Sequence, residues 1–297
     1  MFSTGMFWLM KKTILITGAG GFIGSHVLEL LKGDYEIFAL FHNAPSESLG
    51  VNVLVGNLAK DISHILPRKI DLVLHLAQSN FYRDPVNNGQ DIFDINTIST
   101  FNLLNWAKKA GAQKFIYSST ANVYEPTSEI LTERSLVKPM SLYAASKASA
   151  EMLAGQFSRD FHVSILRVFT VYGPMQKNML VAQMIERLQN NDEISLAGGK
   201  GIFLTPLYIS DAAQLMVQLL DSSECRSGDV FNLSGLEQTS LAEIVSILAQ
   251  ILEVKPNLVI TDGTPGSLMG CSRKILELLN YSNLTSLQAG LELSVHG

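Results

Sequence analysis

The 297-residue chain is short of charge, of cysteine and of long apolar runs, and each shortage excludes a class of function. Charged residues make up 16 % of it, against about 25 % in an average globular protein. Acidic residues outnumber basic ones by 27 to 22. With a net charge of −5 and no basic run, the chain cannot neutralise a phosphate ladder, so nucleic acid is excluded as a partner. Two cysteines, Cys225 and Cys271, are too few for a disulfide framework and read as small buried side chains in a reducing compartment. Mean hydropathy is +0.21, yet no stretch of about 18 uninterrupted apolar residues is present to cross a bilayer. The six histidines, His26, His42, His64, His75, His162 and His296, form no helical pair, so no metal site is expected. What remains is a core-forming composition, 47 % hydrophobic, in a chain long enough for two domains of roughly 150 residues.

The first ten residues, MFSTGMFWLM, are apolar, but Lys11 and Lys12 follow the apolar part instead of preceding it. That order is the reverse of a secretory signal, so an extension ahead of the first strand is expected, in a cytoplasmic protein.

Residues 12–17 (KTILIT) form a β-branched run followed at once by a glycine loop, Gly18 to Gly24, and then by apolar residues at helical spacing over 25–32. A second apolar run at 36–41 completes a strand–loop–helix–strand unit. Further runs at 51–55, 72–76 and 114–117 alternate with helical patterns, the clearest over 95–109 before Gly111. Continuous apolar strands alternating with helices predict an α/β fold, a doubly wound parallel sheet covered on both faces. Beyond Gly173-Pro174 the loops lengthen and the helices scatter over 211–220 and 240–252. The second of these opens on Ser240 and Glu243 at capping-box spacing. The expected division is a cofactor domain over 11–173 and a smaller α/β substrate domain over 174–297, partly interleaved with the first.

Two constellations carry chemistry. Gly18, Gly21 and Gly24 stand where a tight turn, a close approach to pyrophosphate and helix-on-strand packing each need a residue without Cβ. The helix that follows presents unpaired N–H groups and the positive end of its dipole to the phosphates. At the end of the second strand, where a carboxylate ordinarily accepts from the adenosine ribose, the sequence is Phe41-His42-Asn43. His42 and Asn43 are the available ribose partners, which leaves NAD and NADP both open. Tyr143 and Lys147, four residues apart, share a helix face. An ammonium there stabilises a phenolate that is otherwise inaccessible at neutral pH. The strand over 115–120 ends in hydroxyls, Ser118, Ser119 and Thr120, able to hold a substrate oxygen beside the tyrosine.

In order along the chain, TGAGGFIGSHV at 17–27, VLHLA at 73–77, YSSTANVY at 117–124, YAASK at 143–147, LRVFTVYGP at 166–174 and YISDAA at 208–213 resemble the extended short-chain dehydrogenase/reductase family. The likeness is to its NAD-dependent nucleotide-sugar epimerase/dehydratase branch, of the UDP-glucose 4-epimerase type, and covers roughly residues 12–235. The resemblance implies a Rossmann domain, a tightly held NAD (NADP being possible), a nucleotide-sugar substrate and a homodimer formed through the helices over 95–109 and 143–160. It implies that Tyr143 is the acid/base, that Lys147 holds the nicotinamide ribose and lowers the tyrosine pKa, and that Thr120 hydrogen-bonds the reacting oxygen. Gly18, Gly21, Phe22, Ile23 and Gly24 then wrap the pyrophosphate. Asn57 and Leu58 meet the adenine, and Leu76, Ala77, Gln78, Ser118 and Phe169 border the cofactor. Asn96 is the asparagine that helps to order the site and is counted with the cofactor residues.

Branch members that eliminate water carry an acidic pair directly after the threonine, whereas here Ala121-Asn122 follows, which is closer to the 4-epimerases. An NAD(P)H-dependent 4-keto-sugar reductase or dehydrogenase is an alternative, and a non-catalytic cofactor sensor is a second. The branch's diphosphate-binding arginine is replaced by Phe203-Leu204-Thr205-Pro206. Lys177, Arg187, Lys200 and Arg273 are the cations left to meet a diphosphate.

Overall fold

The computed structural model describes residues 11–297; the extension expected at 1–10 lies outside the described residues. The elements are β1 (Thr13–Thr17), α1 (Phe22–Leu31), β2 (Glu36–Phe41), β3 (Asn52–Val55), β4 (Leu72–His75), α2 (Pro85–Phe93), α3 (Ser99–Ala110), β5 (Lys114–Thr120), α4 (Leu142–Gln156) and β6 (His162–Val168). They are followed by β7 (Val171–Tyr172), α5 (Leu180–Asn190), β8 (Glu193–Ala197), β9 (Phe203–Leu204), β10 (Leu207–Tyr208), α6 (Ile209–Asp221) and β11 (Asp229–Leu233). The chain ends with β12 (Thr239–Ser240), α7 (Leu241–Ile251), β13 (Asn257–Thr261), β14 (Ser267–Leu268), α8 (Arg273–Leu279) and α9 (Leu287–His296).

Seven strands form one sheet in the order β11-β6-β5-β4-β1-β2-β3, every pair parallel. Its two faces feed separate cores. Ile14, Ile16, Leu74, Ile116 and Leu166 pack towards α1 and α6, whereas Leu15, Val73, Phe115, Val163 and Ile165 pack towards α3 and α4. Alternate residues of fully buried strands thus serve two apolar layers, which is why these strands read as unbroken hydrophobic runs. The strand order reverses at β1, between β4 and β2. In open parallel sheets ligands lie at such a reversal, beyond the carboxyl ends of the strands.

The part beyond residue 173 is not self-contained. Strand β11 returns to pair with β6, and α6 packs on α1, so both extend the large domain. The smaller unit is built from short pairs, β8 with β13 and β9 with β12 and β14, covered by α5 and α7. Ser240 and Glu243 exchange both hydrogen bonds of the capping box at the start of α7. The helix expected over 95–109 begins ten residues earlier, at Pro85, and passes through a π-turn, Asp94–Ile98, before α3. No helix among the described residues is long and apolar enough to cross a membrane.

Candidate active site

The loop after β1 leaves no space for a side chain at Gly18 or Gly24. Gly18 has φ +70°, and a Cβ on it would lie 2.8 Å from the Ala77 backbone nitrogen. A Cβ on Gly24 would lie 2.1 Å from the Gly18 carbonyl oxygen. Gly21 is the N-cap of α1, donates to the Gly18 carbonyl at 2.9 Å, and leads into Phe22 and Ile23 in the first turn. Neither an aspartate nor a serine caps this helix, so its first N–H groups face the cleft for an anion to accept.

At the end of β2 the buried Phe41 ring packs against Gly20, and His42 and Asn43 follow in an exposed bend. The Asn57 side chain accepts from the Ala59 backbone at 2.9 Å, closing a turn, while Leu58 is buried in the core on the α3 side. Leu76 and Ala77 are half-buried along the cleft beside Gly18.

Tyr143 and Lys147 share the face of α4 that looks back at the carboxyl end of β5, and Ser141 caps that helix. The Tyr143 phenol donates to Gln78 Oε1 at 2.8 Å, and the Thr120 hydroxyl is near enough to draw its pKa down. The family resemblance implies that Lys147 lowers the Tyr143 pKa. In this structure burial prevails and pushes the phenol up to about 12, with only the Thr120 hydrogen bond opposing it. The physical reason is where the ammonium sits. Lys147 Nζ rests 4.5 Å above the Tyr117 ring, and no hydrogen bond joins it to Tyr143 among the described residues. Burial also pushes Lys147 itself down to about 7.

Behind this pair runs a chain of buried hydrogen bonds. Thr100 Oγ1 donates to the Asn96 carbonyl at 2.7 Å, so His75 Nε2 must be the donor to Thr100 at 2.9 Å. His75 Nδ1 then accepts from Thr17 Oγ1 at 2.6 Å, and Thr17 in turn accepts from the Ala77 N–H at 3.2 Å. Burial holds His75 neutral, its pKa pushed down to about 3. Asn96 lies in the π-turn, accepting from the Ser79 N–H and donating to Ser146 Oγ, each at 2.9 Å. Both ends of its amide are occupied by protein, so it braces the Ser79 loop against α4. Ser118 is half-buried on β5. Phe169 is buried between Tyr124 and Gly270, tying the cleft to the smaller unit.

Sequence reasoning missed Tyr82 and Arg83, in the loop between β4 and α2. The Tyr82 ring lies 5.3 Å from the Tyr143 ring. The Arg83 guanidinium lies 5.2 Å over Tyr82 and donates to the Asn178 carbonyl at 2.9 Å. Arg83 and Tyr82 both also reach Met179 Sδ, each at 3.4 Å. The two loops meet here beside Tyr143. Lys177, Arg187, Lys200 and Arg273 are exposed, and Arg187 is occupied by the Glu193 carbonyl. The available signal for Arg83 was its place just beyond β4, at the strand-order reversal.

A family model, the NAD dependent epimerase/dehydratase family, matches residues 14–234. The chain belongs to that family. An uncharacterised UDP-glucose epimerase of Bacillus subtilis is 27 % identical, with 94 % of this chain and 95 % of the relative covered. A mouse dTDP-D-glucose 4,6-dehydratase is 28 % identical over 82 % of this chain and 73 % of its own length. Among solved structures, UDP-glucuronic acid 4-epimerase from Bacillus cereus, in complex with UDP-glucuronic acid and NAD, superposes with a TM-score of 0.86. It is 28 % identical, and the match covers 96 % of this chain and 98 % of that one. The family is one of NAD-dependent enzymes with a Rossmann-type sheet. The residues present fit that cofactor: glycines clear the phosphate cradle, the N-terminus of α1 faces it, and Lys147 is buried with no hydrogen-bond acceptor among the described residues.

Proposed function

We propose that the chain is an NAD-dependent 4-epimerase of a nucleotide sugar. The observation that carries this reading is the Tyr143 phenol near the Thr120 hydroxyl, with Ala121 and Asn122 following and no carboxyl group at those positions. The first two would put an acid/base and a hydrogen-bond donor on one substrate oxygen. The absence of acidic residues at 121–122 withholds the second acid/base that water elimination from the oxidised sugar would require.

When bound, NAD would be held by the Gly18–Gly24 loop and Lys147 and would supply reversible hydride exchange with the sugar carbon. The chain's residues manage the proton and the geometry. Tyr143 takes the proton from the sugar hydroxyl as the carbon is oxidised, and gives it back on reduction. Thr120 holds that oxygen, and its hydrogen bond favours the phenolate against burial, while the Lys147 ammonium is left to face the cofactor ribose. Tyr82 packs beside the phenol and excludes water from it. Arg83 is the cation placed to exchange two weak neutral acceptors, the Asn178 carbonyl and Met179 sulfur, for an anionic group of the substrate. The free thiols Cys225 and Cys271 support a cytoplasmic location. The exposed apolar side chains Ile98, Phe101, Leu142 and Met152, on the π-turn, α3 and α4, support a homodimer through those helices.

The test is incubation with UDP-glucose and UDP-glucuronic acid, with C4 epimers resolved by chromatography. Tyr143→Phe is expected to lower turnover by about 10²–10⁴-fold with NAD still bound. Accumulation of a 4-keto product would move the assignment to a dehydratase or dehydrogenase. Epimer formation undiminished in Tyr143→Phe would remove Tyr143 from the chemistry.

A further inference from the structure

Two buried charged residues have no part in the chemistry so far described. Glu151 lies one turn beyond Lys147 on the same face of α4, and both are almost inaccessible, at 6 % and 1 % exposure. Arg167 of β6 grips the Glu151 carboxylate as a fork, Nε at 3.0 Å from Oε1 and Nη2 at 2.7 Å from Oε2. The Arg167 guanidinium in turn lies 4.7 Å over the Tyr124 ring. A buried ion pair of this sort adds little to stability by itself, so its position beside a catalytic lysine calls for a reason.

The lysine supplies one. Its ammonium has no hydrogen-bond acceptor among the described residues and sits against the face of Tyr117 at 4.5 Å. The ionisable groups around it are Tyr143 and Glu151 on α4, Tyr117 on β5, His75 on β4 and, behind Glu151, Arg167 on β6. His75 is held neutral, and burial keeps both tyrosines protonated. Glu151 is therefore the negative charge that offsets the desolvation of Lys147, and the Tyr117 ring presents the negative face of its quadrupole to the ammonium.

We propose that Glu151 and the Tyr117 ring form a seat for the Lys147 ammonium, and that Glu151, aligned by Arg167, is a positioning residue that keeps this ammonium charged. Arg167 fixes the carboxylate so that it cannot swing onto Lys147 and neutralise the donors needed by the cofactor ribose. The seat rests on Lys147 facing that ribose and is independent of which sugar is turned over.

NAD binding tests it without any sugar substrate, so its failure and that of the epimerase reading are distinguishable. The full-length protein, freed of cofactor, is titrated with NAD by calorimetry between pH 5 and 10. Affinity falls as Lys147 loses its proton. In Glu151→Gln the fall is expected to set in about one pH unit lower, and in Glu151→Asp it returns towards the wild-type position. An unchanged profile in a normally folded Glu151→Gln overturns the proposal. Glu151→Gln leaves Arg167 buried without its counter-charge, so a second pair stands beside it. Tyr117→Phe keeps the ring and the profile, whereas Tyr117→Leu moves the fall about half a pH unit lower. Identical profiles for Phe and Leu at position 117 overturn the proposal as well.

Discussion

On the cofactor side of the cleft the contacts come from main chain and missing side chains: Gly18 against Ala77, Gly24 against Gly18, and the bare N-terminus of α1. On the side proposed to meet the substrate they come from long side chains of two loops 95 residues apart in sequence, Arg83 reaching to Asn178 over the ring of Tyr82. The first side is fixed by spacing within seven residues and tolerates almost no variation. The second is assembled by the fold from single residues and can vary without disturbing the first. On this reading a change of substrate would act on the second side and leave the first alone.

Substitutions on each side break the comparison in different observables. The largest effect is expected at Gly24→Ala, whose new Cβ would lie 2.1 Å from the Gly18 carbonyl oxygen. The loop must shift, and NAD affinity measured by calorimetry should fall on the order of 100-fold. Arg83→Ala is expected next, raising KM for a UDP-sugar about tenfold while leaving kcat and NAD affinity near wild type. A comparable loss of NAD affinity in both variants would mean that the two sides are not separable.

An effect on stability, and not on binding at either side, belongs to the hydrogen-bond chain that lies behind both. His75 titrates near 6.5 when unfolded and at about 3 in the fold. Below pH 6.5 the unfolded chain therefore takes up a proton that the native protein refuses. Native stability should fall as the pH drops, by about 1.4 kcal/mol per pH unit from this residue, down to about pH 3. Urea unfolding of wild type and His75→Gln at pH 6.5, 5.5 and 4.5 isolates the contribution. The stability gap between them should narrow as the pH falls, and a constant gap would show that His75 titrates normally in the fold.

The same asymmetry explains what could be read from the residues alone. The glycine loop, the Tyr143 and Lys147 pair and the buried strands depend on neighbours a few positions apart, so periodicity exposes them. The start of α2 was hidden because PVNNGQ carries no apolar stripe; tertiary contacts and Pro85 at its first turn make it helical. The return of β11 to the large sheet is a pairing with β6 across some 60 intervening residues, which no local pattern encodes. Arg83 and Glu151 were illegible for a related reason. A charged side chain acquires a role only through what the fold places opposite it, a carbonyl of a distant loop in one case and Arg167 in the other.

The π-turn at Asp94–Ile98 has a consequence for how this segment can change. The Ser99 N–H reaches back five residues to the Asp94 carbonyl, so the turn holds one residue more than an α-helix would. That extra residue lets Asn96 and Thr97 face α4 while Leu103, Leu104 and Ala107, further along, face the sheet. Winding the same residues as an unbroken α-helix would rotate one set against the other by about 100°. The segment is in effect a counted spacer: it can exchange side chains freely at its exposed positions, but the extra residue and the wide turn must be kept or lost together.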